Sequence, residues 1–146
     1  MVQTQPHTSP TGGCGPDWAV IVSPNSSANT NILFGVGGHD WFPIAWAVGV
    51  YYDESFTAHT LTEQWDGNSW TIISSPDPGN SGSQLNAVVL ADAGSEAWAV
   101  GYFTDENLIA HTLIEHWEYW NNRWVVMPSP DNGSNGSYLQ SVTLDG

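Results

Sequence analysis

The chain has 146 residues and 40% hydrophobic content, enough for one domain with its own core. Fifteen acidic residues face a single basic one, Arg123, for a net charge of −14. That balance excludes a nucleic-acid or anionic-membrane surface, and leaves phosphoryl or carboxylate chemistry without its cationic clamp.

The first 17 residues form a Pro/Gly/Thr-rich tail. It has neither the charged start nor the apolar stretch of a signal peptide, and no run in the chain approaches the ~18 apolar residues of a membrane span. Its one cysteine, Cys14, has no internal partner and reads as a free thiol. Absence of Lys with abundant Ser, Asn, Thr and Gly points to an exported protein, extracellular or at the cell surface. Three glycosylation-type triplets, at Asn25, Asn132 and Asn135, fall in loops.

From Trp18 onward the chain repeats itself. "AWAVGVYYDESFTAHTLTEQW" at 45–65 returns as "AWAVGYFTDENLIAHTLIEHW" at 97–117. Trp18 recurs as Trp70, Trp46 as Trp98, His59 as His111 and Trp65 as Trp117, each 52 residues on. Trp70 recurs as Trp124, two residues later than that period, because "WDGNSW" has become "WEYWNNRW". An insertion confined to a polar segment is what a hairpin loop tolerates.

Taken in order, a strand is expected at 18–23, a first unit at 32–75, a second at 84–129 and a last strand at 138–146. Unit 2 shows four strand-like runs, 85–91, 97–103, 111–117 and 124–129, separated by turn-forming segments. Pro24, Pro76 and Pro130 end the fourth run of each repeat. In 97–103 Trp98, Val100 and Tyr102 share one face, while Ala97, Ala99, Gly101 and Phe103 share the other. Such a sheet is covered on both sides, the bulky face of one unit settling on the small face of the next. The fold class is all-β: two four-stranded propeller-like blades of a 52-residue repeat, with an orphan strand at each end.

"AWAVGY…HTLIEHW…W…PSP" resembles the tryptophan-rich propeller-type repeats of bacterial secreted and surface proteins, over Trp18 to Gly146. The resemblance implies an extracellular repeat module and little about activity, since propellers host enzymes, lectins and scaffolds alike. Kelch repeats have a similar length, but only single glycines, Gly49 and Gly101, stand where they carry a pair. "WDGNSW" is similar to the Asp-box turn of sialidase-like blades, one residue short, and is read as a turn.

Candidate chemistry is thin. Glu63 and Glu115, and likewise His59 and His111, occupy equivalent places in the two units, so they read as structural bonds to backbone or indole N–H rather than catalytic groups. His111 and His116, five apart on a strand, point to opposite faces and cannot share an ion. "DNGSNG" at 131–136 offers oxygen ligands for calcium but lacks the downstream Glu of an EF-hand, and a turn is the default; no cofactor is expected. There is no Gly-x-Ser-x-Gly elbow, and one arginine cannot make a sialidase-like cluster, so no enzyme is expected.

Residues that break the repeat are the expected contacts: Trp41 and Phe42 in the first loop of unit 1, Tyr119 and Trp120 in the hairpin inserted into unit 2. They read either as exposed platforms for sugar or protein, or as caps over a blade end. Two units with open faces lead to the expectation of a chain that associates with itself head to tail, as ring or filament, or that belongs to a longer propeller. Trp18, Val20 and Val22 at one end and Tyr138, Leu139, Val142 and Leu144 at the other are the assembly strands of that reading. The rival is a carbohydrate-binding module with glycan as its partner.

Overall fold

The computed structural model describes residues 20–91, 94–131 and 136–144. Trp18, Cys14 and the rest of the N-terminal tail, the sequons at Asn132 and Asn135, and most of the 131–136 loop lie outside the described residues.

The described residues are all-β, in two four-stranded antiparallel sheets. Unit 1 comprises β1 (Asn31–Gly38), β2 (Ala45–Tyr52), β3 (Ala58–Trp65) and β4 (Trp70–Ile72). Unit 2 comprises β5 (Gly82–Ala91), β6 (Glu96–Thr104), β7 (Ala110–Glu118) and β8 (Arg123–Met127). Each sheet runs in simple sequence order. The four runs read in unit 2 are these four strands, each displaced by a few residues at most at its ends. Strand β4 stops at Ile72, although Ile73 still donates its N–H to Thr62 O at 3.0 Å.

Each first strand carries an irregularity at the same place in the repeat, between Leu33 and Gly35 and between Leu85 and Ala87. The extra residue puts Leu33 and Val36, three apart, on one face opposite Gly49 and Ala47; Leu85 and Val88 repeat this opposite Gly101 and Ala99. It also explains the glycines. A Cβ on Gly49 would lie 1.8 Å from Ile32 O, and one on Gly101 1.9 Å from Gln84 O.

The core lies between the sheets. Trp46 and Val48, on the bulky face of β2, are fully buried against Leu85, Val88, Ala97 and Ala99 of unit 2. The indole of Trp46 lies 4.6 Å from that of Trp117 and 4.8 Å from that of Trp124, centroid to centroid. Bulky face on small face is the expected packing. It is helped by Gly35 and Gly37 in β1, where a Cβ would come within 2.9 Å of Ala87 Cα and of Leu90 Cδ1.

The end strands are corrected. Residues 20–24 and 137–144 pair in no strand, because each would need a middle strand beside it and the described residues supply none. Val20 and Val22 project into solvent at 98% and 83% exposure. The C-terminal segment instead lies on the far face of unit 2. There Leu139 N–H donates to Gly101 O at 3.2 Å, Asn86 Nδ2 donates to Leu139 O at 2.7 Å, and Tyr138 packs edge-on to Tyr102. Val142 is half-buried and Leu144 exposed.

Candidate functional site

The two units differ most in what covers their small faces. Leu85 and Val88 are 0% and 8% exposed, whereas their counterparts Leu33 and Val36 are 40% and 70% exposed. Phe34 beside them is also exposed. These residues form one wall of a largely apolar groove of about 320 Å³, completed by Ser23, Ala47, Glu63 and Trp70.

At the floor of the groove, Ser23 Oγ donates to the Glu63 carboxylate, 3.0 and 2.8 Å from its two oxygens. One repeat on, Ser75 Oγ donates to Glu115 Oε2 at 2.6 Å. Each glutamate is thus held by a serine hydroxyl from the preceding repeat rather than by the backbone or indole N–H expected. The indole nitrogens of Trp46, Trp117 and Trp124 are buried without a hydrogen-bond partner among the described residues, as is Glu115 Oε1. Burial raises the Glu115 carboxyl to about 8, only partly offset by Ser75, and it raises Glu63 in the same way.

A second repeated cluster centres on the histidines. His59 Nε2 lies 3.1 Å from Asp53 Oδ2, and its Nδ1 contacts Asp77 Oδ2. His111 stands likewise between Asp105, at 3.2 Å, and Asp131. Asp53 and Asp105 also accept two backbone N–H groups each in the β2–β3 and β6–β7 turns. Each imidazole thus ties a hairpin turn to the segment that leaves the unit, with a ring of Tyr51 or Phe103 stacked on it. The partners are carboxylates, not backbone or indole. Burial works against a charge on His59, but Asp77 and Asp53 outweigh it, so its pKa is raised. Asp105 and Asp131 raise that of His111. Asp53 and Asp105 are lowered, first by the N–H of Thr57 and of Ile109, then by the imidazoles.

The aromatic loops stand out from the surface. Trp41 is 86% and Trp120 93% exposed, Phe42 and Tyr119 about half. Phe42 packs on His39, and Tyr119 and Trp120 meet edge to face, so the ring contacts of each pair stay within its own loop. Trp120 and Tyr119 border a cleft of about 270 Å³ with Glu96, His116, Glu118 and Asn121. His116 stacks on Trp98 and lies 3.6 Å from Glu96, whereas His111 pairs with Phe103 on the opposite face of β7. Among the described residues no group of three His, Cys, Asp or Glu is arranged to hold a metal, and no helix is long and apolar enough to cross a membrane.

The groove residues Leu33, Phe34, Val36 and Ser23 were not singled out by sequence. Leu33 and Val36 hold the same repeat positions as Leu85 and Val88, and the placement of the sheets separates covered from open. The aspartates did leave a signal, since Asp53 and Asp77 recur with their histidine as Asp105 and Asp131.

Comparison with known protein families found no family model that matches the chain, and a search of curated proteins found no match.

Proposed function

We propose that the two sheets are propeller-type blades of a non-catalytic, extracellular structural or adhesive protein that associates with itself head to tail. The observation that carries this is the open small face of unit 1. Leu33, Phe34 and Val36 stand exposed on a face whose repeat equivalent in unit 2 is sealed. Contiguous exposed apolar surface of this sort is a contact surface, and a heterologous contact propagates into a ring or filament. The repetition of the Glu and His clusters supports the non-catalytic part, since each is consumed in holding its own unit. The absence of Lys supports export.

Light scattering over a wide concentration range tests the reading. Association that grows with concentration is expected, and a clean 15.8 kDa monomer throughout would refute it.

A second reading is favoured by the cleft beside Trp120. An exposed indole flanked by Glu96, Glu118 and Asn121 has the stacking surface and hydrogen-bonding groups that a glycan uses. Tryptophan fluorescence that is unchanged across neutral oligosaccharides, in wild type and Trp120→Ala alike, would remove it.

A further inference from the structure

The joint between the two units can be carried along the repeat position by position. Its socket, on unit 2, is built by Leu85, Val88, Ala99 and Trp124, and Trp46 and Val48 of unit 1 enter it. One repeat earlier the socket positions are Leu33, Val36, Ala47 and Trp70, and all four line the open groove. Its aromatic floor is already in place: Trp65 and Trp70 lie 5.5 Å apart, as Trp117 and Trp124 lie 5.7 Å apart beneath Trp46. One repeat later, the entering residues are Trp98 and Val100, on the far face of unit 2.

Resting on the self-association proposed above, we infer that the groove of unit 1 receives the Trp98–Val100 face of unit 2 from a second copy of this chain, and that the two chain ends are exchanged as it does so. Ser23 holds Glu63 in the place that Ser75 holds on Glu115. The equivalent serine of the incoming unit 2 is Ser129, whose Oγ accepts from Thr112 Oγ1 at 2.8 Å and keeps its own proton to donate. On the other side of the joint, the 137–144 segment covers Gly101 and Tyr102 with Leu139 at the repeat position of Leu33 and Leu85. β1 of the copy that carries the groove takes that place. Each end thus occupies a face until a neighbour displaces it.

The joint between copies is looser than the internal one. Gly35 and Gly37 let β5 approach unit 1 closely, but the same positions on the far face of unit 2 are Ala87 and Val89. Side chains there hold an incoming strand further out. Together with competition from the ends, this makes association reversible and concentration-dependent.

The test uses sedimentation velocity on the full chain and two variants blocked on opposite faces. Val36→Glu places a charge in the groove at an exposed site and leaves the Trp98 face intact. Trp98→Ala empties the entering face and leaves the groove intact. Each variant alone stays monomeric where the wild type associates. Mixed in equal amounts they form one joint only, a dimer, and grow no further. Ser129→Ala weakens wild-type association by roughly threefold to tenfold, the effect of one hydrogen bond.

A wild type that never associates sinks both the inference and the function it rests on. A wild type that associates while Val36→Glu associates equally well sinks the inference alone, leaving some other contact surface. A mixture that remains monomeric does the same. If Trp98→Ala loses its near-ultraviolet circular dichroism, Val36→Glu at its exposed position still decides whether the groove is used.

Discussion

Leu33 and Leu85 are the same residue at the same place in the repeat, and they should respond differently to the same truncation. Leu85 is 0% exposed and lies in the joint with Trp46 and Val48, so Leu85→Ala leaves a cavity between two sheets. Such a change costs about 3 kcal/mol, within a range of about 2–5. Leu33 is 40% exposed on an open groove, where water enters as the side chain leaves and no cavity remains. Its loss should cost about 1 kcal/mol or less. For a chain of this size 1 kcal/mol moves the melting temperature by about 3 °C, so the expected losses are about 9 °C and at most about 3 °C. Urea and thermal unfolding followed by tryptophan fluorescence, on protein dilute enough to be monomeric, measures both. At higher concentration the Leu33→Ala deficit should widen, because the wild type gains stability from association and the variant gains less. Equal costs in the dilute monomer would refute the reasoning, since they would mean that the groove is already filled within one chain.

Stability should be highest in mild acid. The Glu115 carboxyl, at about 8, lies above its ordinary 4.5, so folding favours the protonated form; stability present at pH 4.5 falls as pH rises through 8, by on the order of 1.4 kcal/mol for each pH unit between them. Glu115→Gln should flatten that part of a plot of urea midpoint against pH, and an unchanged slope would show that Glu115 is ionised in the fold. The raised histidines act in the same direction, their contribution being complete below pH 6.5 and lost as pH rises through their folded values. Asp53 and Asp105, lowered from 3.8, lose theirs only as pH falls below that value. His59→Gln with His111→Gln should therefore remove stability at pH 5.5 and little at pH 9, and equal losses at both would deny the clamps their charge. Gly37→Val should cost about 1–3 kcal/mol by forcing β5 away, measured by urea unfolding; a neutral result would mean the sheets are further apart than described. Leu108, exposed in a turn at φ 63°, should tolerate Leu108→Asn with a gain of up to about 1 kcal/mol; a loss would show that its side chain makes a contact.

Much of the fold was written in local pattern. Period-two alternation in 97–103 separates Trp98, Val100 and Tyr102 from Ala97, Ala99 and Gly101, and alternation alone assigns faces to a strand. The 52-residue recurrence then makes two sheets from one description, and turn residues with Pro76 and Pro130 bound the strands. Strand assignment failed at the ends, over the described residues 20–23 and 138–144. Their composition is that of strands, but a strand needs a neighbour to bond with, and neighbours are not a property of the segment.

The polar clusters were half legible. Recurrence of Glu63 as Glu115 and His59 as His111 marked groups that make the same contacts in both units. It did not name their partners, because Ser23 and Ser75 reach a carboxylate 40 residues away, and Asp77 reaches His59 only after the chain has crossed the sheet.

What the sequence by itself determined is therefore the unit: its four strands, its two unlike faces and the fact that it occurs twice. What only the tertiary structure decided is which faces are satisfied. Leu33 and Leu85 hold the same position in the repeat, and burial is a relation between sheets rather than a preference of residues. The stacking of unit 1 on unit 2 seals Leu85 and Val88 and leaves Leu33 and Val36 exposed along a groove, while Glu63 and Glu115 are buried in both units.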